Sequence, residues 1–146
     1  MPQLLVFVPC EKVILGQGDN SASLIGIMQE VTFYGVPSSV PDTAAVPMNW
    51  TVFAQWLAVA GEEGKFFEQR IQLTSGKGEV LLEASGEFEL TKPIHRMITN
   101  IRGFPIRAAG SYRLALTLRQ KGFPDWEQRA EYPLTIVHAK AAAPVH

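Results

Sequence analysis

The chain reads as one all-β domain made of two packed sheets. Three observations predict this. Apolar residues recur with a period of two over long stretches, no segment carries them at helical spacing, and glycines and prolines punctuate the chain throughout. A chain of 146 residues fits one domain, and about 70% of its unfolded surface would be buried on folding, so neither disulfides nor metal are required.

Taken in order, Gln3 to Leu15 supplies one or two N-terminal strands. Leu4 to Val8 is apolar on both faces, so this strand is either covered within the monomer or completes a sheet with a second copy. Gly16-Gln17-Gly18-Asp19-Asn20-Ser21 is a hairpin connection in which Asp19 and Asn20 suit left-handed positions. From Leu24 onward seven core strands are expected, at about 24–34, 50–59, 66–74, 79–90, 95–102, 111–119 and 128–138.

The clearest strand places Val80, Leu82, Ala84, Gly86, Phe88 and Leu90 on one face, with Glu83, Glu87 and Glu89 on the other and a bulge at Gly86. Tyr112, Leu114, Leu116 and Leu118 make a second apolar face. Phe67, Ile71 and Leu73 make a third, interrupted by Gln69, against outward Phe66, Glu68, Arg70 and Gln72. A one-residue slip would put every leucine in water, so these registers are well specified. Trp50 to Val59 is apolar on both faces, as in a central or covered strand, and Trp50 and Trp56 share its core face. Pro133 belongs at an edge or bulge because it cannot donate to a ladder. The segment 36–47, with Pro37, Pro41 and Pro47, is a crossover between sheets. Residues 1–138 form the domain and the alanine-rich 139–146 a flexible tail.

Composition excludes several classes. Thirteen basic residues against fourteen acidic ones give a net charge of −1, which leaves no excess to neutralise phosphates. Neither nucleic acid nor membrane is therefore expected as a partner. No apolar run approaches the ~20 residues of a membrane span, and Leu4 to Val8 is too short for a signal sequence. The lone Cys10 excludes an intrachain disulfide and points to a reducing compartment, hence a cytoplasmic location. Beside an apolar run it reads as a small buried hydrophobe rather than a nucleophile. No nucleophile elbow, phosphate loop or zinc motif is present, and His95, His138 and His146 are far apart. The chain is read as a non-enzyme, with no cofactor and no metal.

Ala109-Gly110-Ser111-Tyr112-Arg113-Leu114 resembles the start of the strand that carries a tyrosine corner in many sandwiches. The resemblance implies an immunoglobulin-like (fibronectin-III-like) antiparallel β-sandwich without the usual cysteine pair. It also implies a bond from the Tyr112 hydroxyl to backbone within 104–109. A closer resemblance rests on four motifs in order: Cys10-Glu11-Lys12-Val13, Ser23-Leu24-Ile25-Gly26-Ile27, the same Ala109 to Arg113, and Glu131-Tyr132-Pro133-Leu134. Together they are similar to a family of short uncharacterised bacterial proteins over nearly the whole chain. That likeness implies the fold and carries no activity, ligand or catalytic residue with it.

Aromatic residues are the better lead to function. Phe123 and Trp126 lie with Pro124 in one connection, either folded back over the core edge or displayed to a partner. In a seven-strand sandwich that connection shares an end with 60–65 and 91–94. The end would collect Glu62, Glu63, Lys92, Lys121, Phe123, Asp125 and Trp126, a mixed-charge rim around two rings. The expected function is a non-catalytic protein-binding or assembly module, whose partner is another protein or a second copy. The alternative is a domain that binds a small ligand or carbohydrate on exposed rings.

Overall fold

Alternation of apolar and polar residues builds most of the molecule. The computed structural model describes residues 1–140 and contains nine β-strands and no helix among them. The strands are β1 (Gln3–Leu15), β2 (Ala22–Ile27), β3 (Glu30–Tyr34), β4 (Ala45–Leu57), β5 (Phe66–Thr74), β6 (Val80–Glu89), β7 (Ile94–Pro105), β8 (Gly110–Gln120) and β9 (Glu127–Ala139). They form a four-stranded sheet in the order β2-β1-β4-β7 and a five-stranded sheet in the order β3-β9-β8-β5-β6.

The core lies between the two sheets. Trp50, Val52, Ala54 and Trp56 of β4 meet Phe67, Ile71 and Leu73 of β5 and Tyr112, Leu114, Leu116 and Leu118 of β8. Gln69, the polar break in the β5 pattern, is buried among them. Its Oε1 accepts the Trp56 indole N–H at 3.0 Å, so neither group is left unpaired in the interior. The Tyr112 hydroxyl donates to Ala108 O at 2.6 Å, as the corner motif implies.

Several expectations are corrected. The stretch 24–34 is two strands in different sheets. β2 pairs antiparallel with β1, while β3 crosses over and pairs parallel with β9, so the sandwich is not antiparallel throughout. The strand expected at 50–59 begins at Ala45, which shortens the proline-rich crossover. Gly86 is not a bulge, for it pairs regularly with Gln69, and the β5–β6 register shifts between Leu73 and Thr74 instead. Gly86 makes room for a neighbour: a Cβ there would lie 2.9 Å from Met97 Cε. Pro133 sits where β9 has no partner on its β3 side, since that pairing starts at Thr135. β9 runs through Ala139, one residue into the expected tail, and residues 141–146 lie outside the described residues.

β1 is a single long, bent strand. It pairs with β4 up to Cys10↔Thr51, then leaves it and pairs with β2. At the hairpin tip, Asn20 takes a positive φ and its carbonyl accepts Arg96 Nη2 at 2.8 Å. Arg96 stands opposite Gln55, well back along β4, so the hairpin folds back across the outer face of the first sheet. That explains why Cys10 and Phe53 are buried yet lie outside the core cluster. It also explains the two apolar faces read for Trp50 to Val59. The bend coincides with Gly26, whose φ of +68° is left-handed and where a Cβ would strike the Glu11 side chain. Earlier in β1, Leu4 and Phe7 pack with the core while Val6 and Val8 are half-buried.

Candidate functional site

The three connections expected to share an end do so. Gly64 N donates to Leu90 O, Leu90 N to Lys65 O, Ala58 N to Pro93 O and Lys121 N to Phe66 O, which ties 58–65, 90–93 and 121–126 together. The seven residues placed there by sequence have different fates.

Phe123, Trp126, Lys121 and Asp125 share the β8–β9 connection, whose tip turns at Gly122 with a φ of +91°. Phe123 is 58% exposed and belongs to no core contact. Trp126 is half-buried, outside the core cluster and on the outer face of the second sheet. The guanidinium carbons of Arg70 and Arg119 lie 4.4 and 4.3 Å from its ring centroid. Such contacts are electrostatic attractions between a cation and the ring's quadrupole.

The β5–β8 register explains how the two arginines meet. Arg70 stands opposite Thr117 and Arg119 opposite Glu68, so both arginines point outward as diagonal neighbours. Arg119 Nε and Nη2 both donate to Glu68 Oε2, at 3.2 and 2.9 Å. Arg70 has no such carboxylate, and its buried Nε lacks a hydrogen-bond partner among the described residues. Ring stacking is thus what holds the Arg70 head in place.

Beside this stack, Lys121 Nζ donates to Glu87 Oε1 at 3.0 Å and lies 5.7 Å from the ring of Phe66. Phe66 is 43% exposed. The resulting corner holds the rings of Phe66 and Trp126, two arginines and a lysine on the open face of the second sheet, with exposed Phe123 at the adjoining turn.

Glu62 and Lys92 do not join this corner. Glu62 is only 7% exposed: its Oε1 accepts Val59 N at 3.0 Å and its Oε2 lies 2.8 Å from the Met1 amino group. It fixes the 58–65 turn instead of lining a rim. Lys92 borders a crevice of about 480 Å³ with Asp19, Asn20 and Arg96, on the hairpin side of the end. Glu63 and Asp125 are exposed, and neither appears in an ion pair among the described residues.

Phe66, Arg70 and Arg119 were missing from the sequence-derived set. Their outward parity was readable, whereas their convergence depends on the pairing of strands distant in sequence.

Titratable groups inside the fold follow their surroundings. Burial pushes the Cys10 thiol up, so it stays protonated and poorly nucleophilic. Burial, with Lys92 adding repulsion, pushes His95 down; its ring stacks on Phe88 at 4.7 Å. No group of three or more His, Cys, Asp or Glu side chains converges as metal ligands would among the described residues. Among the described residues, no helix is long and apolar enough to cross a membrane.

A search of curated proteins finds no match. The model of a family of unknown function (DUF6941) matches residues 5–136, from within β1 to within β9, and the chain belongs to that family.

Proposed function

We propose that the domain is a non-catalytic protein-binding or assembly module that docks its partner on the corner around Trp126. One observation carries this: an indole held by two guanidiniums outside the core, with exposed Phe66 on the strand of one of those arginines and exposed Phe123 in the indole's own connection. Tryptophan and arginine are enriched where a few residues supply most of the binding energy. A ring already fixed by stacking loses little freedom on binding. Burial of Phe66 and Phe123 by a partner would remove apolar surface from water without rearranging the core. The carbohydrate alternative needs a free ring face, and the guanidiniums compete for that position at Trp126.

The same proposal takes the topology as immunoglobulin-like and closest to the fibronectin-III arrangement. Support comes from β6 joining the sheet of β5, β8 and β9, and from β3 lying parallel to β9. We also take the protein to be cytoplasmic, on its single unpaired cysteine.

Self-association has its own support. The folded-back hairpin exposes Ile14, Leu15, Ile25 and Ile27 on adjacent strands. Light scattering at tens of micromolar, repeated with Ile14→Asp and with Phe66→Ser/Phe123→Ser, separates the surfaces. Loss of a dimer with Ile14→Asp alone assigns the hairpin to self-association. A partner captured by the parent protein and by Ile14→Asp, but not by Phe66→Ser/Phe123→Ser, supports the Trp126 corner. Capture unaffected by the double change rejects it.

A further inference from the structure

Concave surface concentrates at the other end of the sandwich, where the 35–44, 75–79 and 106–109 segments meet. Three adjoining crevices of about 280, 450 and 370 Å³ open there, and Arg107 lines all three. Ligand sites are characteristically concave, pre-formed and marked by a few fixed polar groups.

The backbone that carries Arg107 is fixed from three directions. Ile106 N donates to Ala44 O at 3.0 Å, His138 Nε2 donates to Arg107 O at 2.7 Å, and the Tyr112 hydroxyl donates to Ala108 O at 2.6 Å. Its guanidinium is left with far less. Among the described residues it makes one hydrogen bond, from Nη1 to the neighbouring Ile106 carbonyl at 3.0 Å, and it has no carboxylate within ion-pair distance. Arg113, Arg119 and Arg129 each have one. Arg107, a half-buried residue whose backbone is held at the junction of three crevices, presents a planar fork of donors to them.

The surroundings narrow the ligand. Lys77 adds a second cation in the smallest crevice, whose lining includes Ala108, Ala109 and Tyr112, so an apolar body fits beside the charge. Glu79 borders the same crevice and Asp42 the other two, which disfavours a multiply charged anion. We infer that this end carries a binding site for a small monocarboxylate, its acid group on the Arg107 guanidinium and its apolar body against Ala108, Ala109 and Tyr112. Planar carboxylate and planar guanidinium match as a two-bond pair. The site stands apart from the Trp126 corner and does not depend on it.

The test is an amide NMR titration of the full chain with benzoate, its neutral isostere benzamide, and phenyl phosphate, to about 20 mM, a range that captures millimolar affinity. Benzoate should shift Arg107, Ala108, Ala109, Gly110 and Tyr112 saturably, and benzamide should bind at least about tenfold more weakly, the equivalent of one lost charge-assisted contact. Arg107→Gln, which removes no core side chain, should weaken benzoate by a similar factor, with Arg107→Lys between the two. Absence of benzoate shifts, equal binding of benzamide, or indifference to both Arg107 variants would overturn the site. Tighter binding of phenyl phosphate than of benzoate would overturn the monocarboxylate assignment.

Discussion

Gln69 and Arg70 are neighbours in β5, and each holds a tryptophan, on opposite faces of the same sheet. Inward, Gln69 accepts the indole N–H of Trp56 in a site closed to water. Outward, Arg70 stacks on Trp126 in a half-exposed site shared with Arg119. One residue step separates an aromatic that holds the sandwich together from one that the sandwich holds up. Inside, the polar partner is obligatory, because an unpaired indole N–H in the core would be expensive. Outside, water competes for the same cation, so the stack sets orientation more than stability.

Substitutions can break this contrast or sharpen it. The largest effect is expected for Trp56→Ala, about 3–5 kcal/mol by urea denaturation, the range for a fully buried large aromatic. Gln69→Leu should cost about 1–3 kcal/mol by leaving the Trp56 N–H without its acceptor. Adding Trp56→Phe to Gln69→Leu should recover part of that loss, and a double-mutant cycle reads the coupling. Strict additivity would mean that the bond contributes nothing. Tyr112→Phe comes next, at about 1 kcal/mol for the lost bond to Ala108 O. An unchanged urea midpoint would remove the corner from the account.

The smallest effect is a pH dependence at the rim of the inner face. Burial and Lys92 hold His95 below its ordinary pKa, so the unfolded chain binds the proton more readily than the fold does. Stability should therefore be full above about pH 6.5 and decline as the pH falls through that value. His95→Gln should flatten the decline in urea midpoints measured from pH 7.5 to 5.5, and an unaltered slope would assign it to other groups.

Much of the inner face was legible because strict alternation needs no knowledge of partners. The β6 and β8 faces, the shared side of Trp50 and Trp56, and the Tyr112 corner all follow from local pattern. Other features depend on long-range pairing. Leu24 to Tyr34 is one apolar stretch, and only the choice of sheet for each half separates β2 from β3. Gly86 looked like a bulge because a strand glycine has two uses, and here it makes room for Met97. Glu62 reads in the sequence as a rim charge, but its two oxygens are engaged by Val59 N and the Met1 amine. Arg70, Trp126 and Arg119 come from three strands or loops, so their stack was invisible without the β5–β8 register. The crevices around Arg107 are bordered by a segment that reads in the sequence only as a proline-rich crossover.

The most direct test of the contrast is chemical denaturation of the double variant Phe123→Ala/Trp126→Ala. The account predicts a loss of no more than about 1–2 kcal/mol, from two exposed cation–π contacts at ~0.5–1 kcal/mol each. The m-value should not change, because the area buried on folding barely alters. A loss of about 3–5 kcal/mol, comparable with Trp56→Ala, would place both rings in the core's service and contradict it.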